Sequence, residues 1–326
     1  MTTMQVMAPP NHPTVQQRLL LHGAWIMTAA VFFSVGWMVV HPWDPRGPVS
    51  LLAHDQPARM MLAVLALAAV TAAVATVLAG RFYPDVGAFA VGLGLTAVSL
   101  RGQTMTYLLI QNEGRTNFGV SLALESLFWL AAMIVAMVCS AVVLRWLRNA
   151  DHDGQAGPAS MVSGEPELLS QMAVAGAGGL IFRRGAGGRT GEDWATGLKH
   201  VALVVVISLI LIRVFSFSAS EPHRAVRHGQ ACFAVAMGLY LAVGRAQAGF
   251  PVHSMFWSCC AVPLVGLAAY GLGWMMSMRA PEGMPASVPA SSFLRILPVT
   301  YIALGTSATL LARWRSGDHR VAGGAS

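Results

Sequence analysis

Two charges of opposite sign stand at matching depths in apolar surroundings. Arg101 lies nine residues before Ile110, where one apolar run ends, and Glu125 lies seven residues after Phe118, where the next begins. If both runs are helices joined as an antiparallel hairpin, each charge sits roughly 10–14 Å below the same face at a rise of about 1.5 Å per residue. The spacing predicts an Arg101–Glu125 ion pair, because charges inside a bilayer are costly and usually pair with one another. Gln103 and Thr104 can add hydrogen bonds, so Arg101, Glu125 and Gln103 form the candidate polar site. Three readings fit it: a site for a substrate or proton, a staple between two helices, or an Arg101 that ends a shorter span. Glu125 is the only acidic residue well inside any apolar run, which makes it the residue to test for a proton relay.

The other chemistry-bearing residues carry weaker patterns. His41, His54, His223 and His228 could approach one another at one face, with Asp55 and Glu221 nearby, in a set suited to zinc or copper. They come from two separate loops, and none has an i,i+4 partner on a clear helix, so histidines at a membrane interface are the favoured reading. No two runs carry mid-helix histidines at one depth, which argues against a bundle haem. Cys139, Cys232, Cys259 and Cys260 contain no CxxC and read as free apolar cysteines. Lys199, the only lysine, stands at the start of a run and cannot serve as a mid-membrane Schiff base. The stretch from Gly185 to Gly191 is glycine-rich but lacks the GxxxxGK[ST] order of a phosphate loop. No acid, metal or nucleophile cluster of an enzyme emerges, and no cofactor follows from the residues.

The elements that must position these residues are apolar runs. Leu19–Val40, Met60–Ala79, Phe118–Leu144, Val201–Phe217 and Phe256–Met278 are the clearest; Val86–Ile110, Ala231–Gln247 and Phe293–Ala312 are weaker. About 20 apolar residues cross a hydrocarbon core of about 30 Å. The runs are continuous and not alternating, so helices are expected rather than a barrel. The expected fold is therefore all-α: a polytopic integral membrane helix bundle of about eight transmembrane helices. Charged residues make up only 11% of the 326 residues, against roughly 25% in soluble domains. The net charge of +7 comes from arginines scattered through loops and helix ends, with no aromatic-interleaved stripe, which excludes a nucleic-acid partner.

The first run is longer than a signal h-region and is followed by His41-Pro42-Trp43, not a cleavage site, so it reads as a retained signal anchor. The chain divides into an N-terminal polar tail (1–18), a first transmembrane half (19–148), a polar and glycine-rich cytoplasmic insert (149–199), a second half (200–315) and a C-terminal tail (316–326). Within the insert, Glu165–Phe182 could lie as an amphipathic helix on the membrane. Arginine placement, with Arg-Trp-Arg after the last run as the best local cue, puts both termini in the cytoplasm, as in a bacterial-type inner membrane. Trp43, Trp146, Trp274 and Trp314 fit interfacial belts.

Gly94-Leu95 with Arg101-Gly102-Gln103 and Gly238-Leu239 with Arg245-Ala246-Gln247 share one spacing. The two runs would point in opposite directions, as in an inverted repeat of a secondary transporter, although small apolar residues match easily by chance. Faces rich in alanine and glycine suit close helix packing or contact with other membrane subunits. Two functions are in view: a structural or assembly subunit of a membrane complex without its own catalysis, or a transporter-like bundle moving a small solute or protons. Beyond the lipid bilayer, the expected partners are other membrane subunits or a second copy of the chain.

Overall fold

A computed structural model describes residues 14–42, 44, 47–83, 85–112, 118–153, 194–216, 224–252, 255–277 and 291–323. Trp43, Glu113–Asn117, the insert segment Glu165–Phe182, the glycine-rich stretch from Gly185, Glu221 and His223 lie outside the described residues. The described elements are all helical. They are α1 (Val15–Val40), α2 (Pro57–Ala79), α3 (Val86–Arg101), α4 (Met105–Gln111), α5 (Phe118–Asp153), α6 (Trp194–Phe215), α7 (Arg224–Gly249), α8 (Met255–Ser277) and α9 (Gly305–Gly323). A 3-10 turn at Ser292–Arg295 and a π-helical turn at Thr300–Leu304 lead into α9.

Local chemistry sets several helix ends. Thr14 caps α1: its hydroxyl accepts from the Gln17 amide, and the Gln17 side chain accepts from the Thr14 amide. Pro57 opens α2, where its missing N–H costs nothing. Among the described residues six helices are long and apolar enough to cross a membrane: α1, α2, α5, α6, α7 and α8. Their outward faces carry large apolar side chains, such as Val206, Ile210 and Val214 on α6 and Leu62, Val70 and Val77 on α2. Such surfaces are satisfied by lipid, and the protein is a polytopic helical membrane bundle.

Two elements sit apart from lipid. Along α3, all residues from Val86 to Gly92 are buried, and so is nearly all of the last helix from Thr300 to Leu310. Small residues let neighbours reach α3 on several sides. A Cβ at Gly87 would collide with the Ser140 hydroxyl and the Ala72 carbonyl, one at Gly92 with Ser307 and the Ala303 carbonyl, and one at Gly94 with the Phe32 ring. The Ser307 hydroxyl donates to the Phe89 carbonyl at 3.0 Å, tying the last helix to α3. A helix faced by protein does not need lipid-grade apolarity, which explains why these two runs are weak in the sequence.

Both central elements depart from the expected continuous spans. The run Val86–Ile110 breaks at Gly102–Thr104, where Gly102 is extended (ψ −177°). The Gln103 amide there leaves the helix and donates to the Gly47 carbonyl at 3.0 Å. Gly102 also packs so close to Val49 that a Cβ would stand 2.9 Å from the Val49 nitrogen. The run expected from Phe293 instead starts as a 3-10 turn and becomes helical only after Leu297, with Pro298 at its opening.

Candidate functional site

The spanning helices give the bundle two ends. The first end carries residues 41–42, 44 and 47–56, Gly102–Thr104 and the Ser292–Arg295 turn; the second carries Arg81–Tyr83, Asp85, Phe250–Val252 and Arg313. Each end gathers polar side chains that chain connectivity keeps apart.

At the first end, residues 47–50 are buried and dip between helices to meet Glu125. Glu125 is 1% exposed, about two helical turns into α5. The Ser50 hydroxyl donates to its Oε2 at 2.6 Å and the Trp129 indole N–H to its Oε1 at 3.0 Å. Trp129 lies one turn further along α5, at the i+4 position that faces Glu125. Ser50 is itself oriented by accepting the Leu52 amide at 3.2 Å. Non-helical backbone is tolerated at this depth because protein surrounds it. Nearby, the Tyr107 hydroxyl donates to Asp44. The buried Tyr270 hydroxyl donates to the Ile296 carbonyl at 2.7 Å and stacks edge-on with Tyr301, ring centroids 5.3 Å apart.

Arg101 does not join Glu125. Its guanidinium donates to the Phe33 carbonyl at 2.7 Å and lies 5.2 Å and 5.0 Å from the Phe33 and Trp37 ring centres. Phe33 belongs to a π-helical turn, Phe32–Gly36. The expected ion pair assumed one helix continuing to Ile110. The break at Gly102 puts Arg101 at the last turn of α3, on the exposed side, while Glu125 faces inward. His54 Nδ1 lies 3.2 Å from the Asp55 carboxylate, a contact that is an ion pair only when the imidazole is protonated. Gln103 holds Gly47 through its backbone, so it shapes the inserted segment beside Glu125.

Among the described residues the candidate metal histidines His41, His54 and His228 form no metal-binding group. His41 ends α1 and is exposed; His54 Nδ1 faces the Gln56 amide at 3.0 Å and Asp55 at 3.2 Å; His228 is buried on α7. Among the described residues no three His, Cys, Asp or Glu side chains could hold one ion.

The second end holds a constellation that the sequence did not disclose. His200, on α6, is fully buried; its Nδ1 lies 3.0 Å from the Phe250 carbonyl and its Nε2 3.2 Å from the Ser258 hydroxyl. A carbonyl only accepts, so Nδ1 carries the proton and Nε2 accepts from Ser258. Gln247 closes the same turn by donating to the Val252 carbonyl at 2.8 Å. Arg313 reaches that carbonyl at 3.4 Å. Asp85, at the start of α3, has its carboxyl pushed above the usual range by burial, an effect the Arg313 charge partly offsets. Nothing in sequence spacing relates His200 to Ser258, 58 residues away; Trp129, by contrast, could have been found from its i+4 relation to Glu125.

A third polar group lies beside the first end. Arg213 near the end of α6, Arg227 in α7 and Arg295 in the 3-10 turn are half-buried, and Arg213 donates to the Ser292 hydroxyl at 3.2 Å. Burial and, after it, the charges of Arg227 and Arg213 press Arg295 below the usual arginine value.

No family model, no curated protein and no solved structure matches the chain.

Proposed function

We propose that the protein is a transport-type bundle in which Glu125 takes up and releases a proton beneath the inserted segment at the first end. One observation carries this reading: a carboxyl group buried inside the bundle is held, among the described residues, by neutral donors alone, the Ser50 hydroxyl, the Trp129 indole and the Leu51 backbone amide. A fixed cationic partner would lock the carboxylate in its charged form. A hydroxyl can serve either form. Ser50 donates to the carboxylate and, after rotation, accepts from the protonated acid, while Trp129 donates to the other oxygen throughout. Intramembrane acids with this freedom suit proton relays. The solute, if protons are not the sole cargo, enters from the first end, where the backbone is irregular. The arginine bias supports cytoplasmic N- and C-termini, which puts the first end outside.

The test is proton flux into proteoliposomes holding the purified full chain, driven by an imposed pH gradient. Wild-type protein should carry a flux above that of empty vesicles, and Glu125→Gln should abolish it while Arg101→Gln retains it. Equal flux in wild type, Glu125→Gln and empty vesicles would leave the assembly-subunit reading in its place, and stable co-purifying membrane subunits would then support it.

A further inference from the structure

We propose that residues 47–50 are a plug that withdraws to let water reach Glu125, and that Tyr107 on α4 is its latch. The inference rests on the proton-site reading and deepens it, because a buried carboxyl exchanges protons with solution only through an opening. Gly47, Pro48, Val49 and Ser50 are all buried although none lies in a helix. Gly47 folds back tightly: its amide donates to the Asp44 carbonyl at 2.7 Å, and a Cβ there would stand 2.7 Å from the Pro42 ring. Pro48 brings no N–H that would need a partner in the interior. Ser50 ends the segment on the Glu125 carboxyl at 2.6 Å and opens the 3-10 turn Leu51–Ala53.

Contacts from the chain around the second break hold the plug in place. The Gln103 amide donates to the Gly47 carbonyl at 3.0 Å, Gly102 packs against Val49, and the Tyr107 hydroxyl donates to Asp44. Tyr107 stands on α4, a helix of seven residues that begins just after that break. A spanning helix is held by a whole apolar face. The plug has Val49 as its one branched aliphatic side chain, so its withdrawal exposes little apolar surface. Segments of that kind open locally at a free energy below that of global unfolding. When the plug leaves, its backbone groups meet water and Ser50 parts from Glu125, which frees that carboxyl oxygen for a water molecule.

The test is thiol labelling of the full chain carrying Val49→Cys, held in phosphatidylcholine nanodiscs, by a water-soluble maleimide. Peptide-resolved mass spectrometry separates position 49 from the native cysteines. Labelling at 49 should be at least tenfold slower than at the exposed position changed by Asp55→Cys. Adding Tyr107→Phe removes the bond to Asp44 and should speed labelling at 49 by about tenfold, the scale of one charge-assisted hydrogen bond. Adding Gly102→Ala wedges a methyl group against Val49 and should speed it as well. The native Cys259 on α8, near the second end, reports general loosening and should keep its rate in both. Elution and far-UV circular dichroism identify variants that fold, and either variant alone suffices for the test. Labelling at 49 that is indifferent to the folded variants overturns the proposal. Labelling at 49 as fast as at 55 without them, or a matching acceleration at Cys259, overturns it too. Proton flux through wild-type protein keeps the two readings apart. Flux with indifferent labelling overturns the plug and leaves Glu125 as the proton site, whereas accelerated labelling without flux overturns the proton site and leaves the opening.

Discussion

The two ends of the bundle solve the same problem, a buried ionisable side chain, in opposite ways. At the second end, His200 has each ring nitrogen committed to one role: the Phe250 carbonyl fixes the proton on Nδ1 and Ser258 occupies Nε2. At the first end, Glu125 has a partner, Ser50, that can reverse its role. The first arrangement holds α6, α8 and the Phe250 turn in one geometry. The second permits two protonation states without moving a helix. Rigidity at one end and a reversible partner at the other would suit the proposed proton site.

The comparison can be broken first at its rigid end. His200→Ala removes a fully buried ring and leaves the Ser258 hydroxyl and the Phe250 carbonyl without it. Thermal unfolding in detergent should show a loss of about 2–4 kcal/mol, combining cavity and hydrogen-bond costs. Glu125→Gln should do far less to stability, under about 1 kcal/mol, since the amide can accept from Trp129 and donate to Ser50. A loss at Glu125→Gln as large as that at His200→Ala would erase the distinction between the two ends.

Double-mutant cycles sharpen it further. Ser50→Ala and Glu125→Ala remove the two sides of one hydrogen bond and should couple by about 0.5–3 kcal/mol in unfolding free energy. Arg101→Gln and Glu125→Gln do not touch and should add to within about 0.5 kcal/mol. Coupling in the second cycle would restore the ion pair that the helix break removes.

The smallest effect concerns Asp85. Its carboxyl is raised by burial, so the folded state holds a proton more tightly than the unfolded chain does. The proton contributes stability at low pH that is lost as pH rises above the unfolded value near 3.8 and through the higher folded value. Unfolding midpoints measured from pH 3.5 to pH 7 should fall less in Asp85→Asn than in wild type.

The residues explain how much of this was legible beforehand. Long lipid-facing helices announce themselves, because hydrocarbon demands apolar side chains over a whole span. Helix α3 and the last helix were faint because protein surrounds them, and Gly87, Gly92 and Gly94 serve close approach instead of apolarity. Glu125 stood out as a lone acid in a span, and that prominence comes from composition alone. Its partner could not be read: Ser50 belongs to a loop 75 residues away, and Arg101 was carried off by a break that depends on Gly47 and Val49. Depth arguments count residues along an unbroken helix and fail where a distant backbone carbonyl captures one amide. The His200–Ser258 pair was silent for the same reason, since only the packing of α6 on α8 brings it together.

The state of the Glu125 carboxyl can be read directly by infrared spectroscopy of the protein in lipid, titrated across pH. A protonated-carboxyl C=O band that grows and fades reversibly with pH, shifts in deuterated buffer and is missing from Glu125→Gln is the predicted result. A carboxyl at position 125 that keeps one protonation state across the whole accessible range, with a spectrum indifferent to pH, would contradict the account.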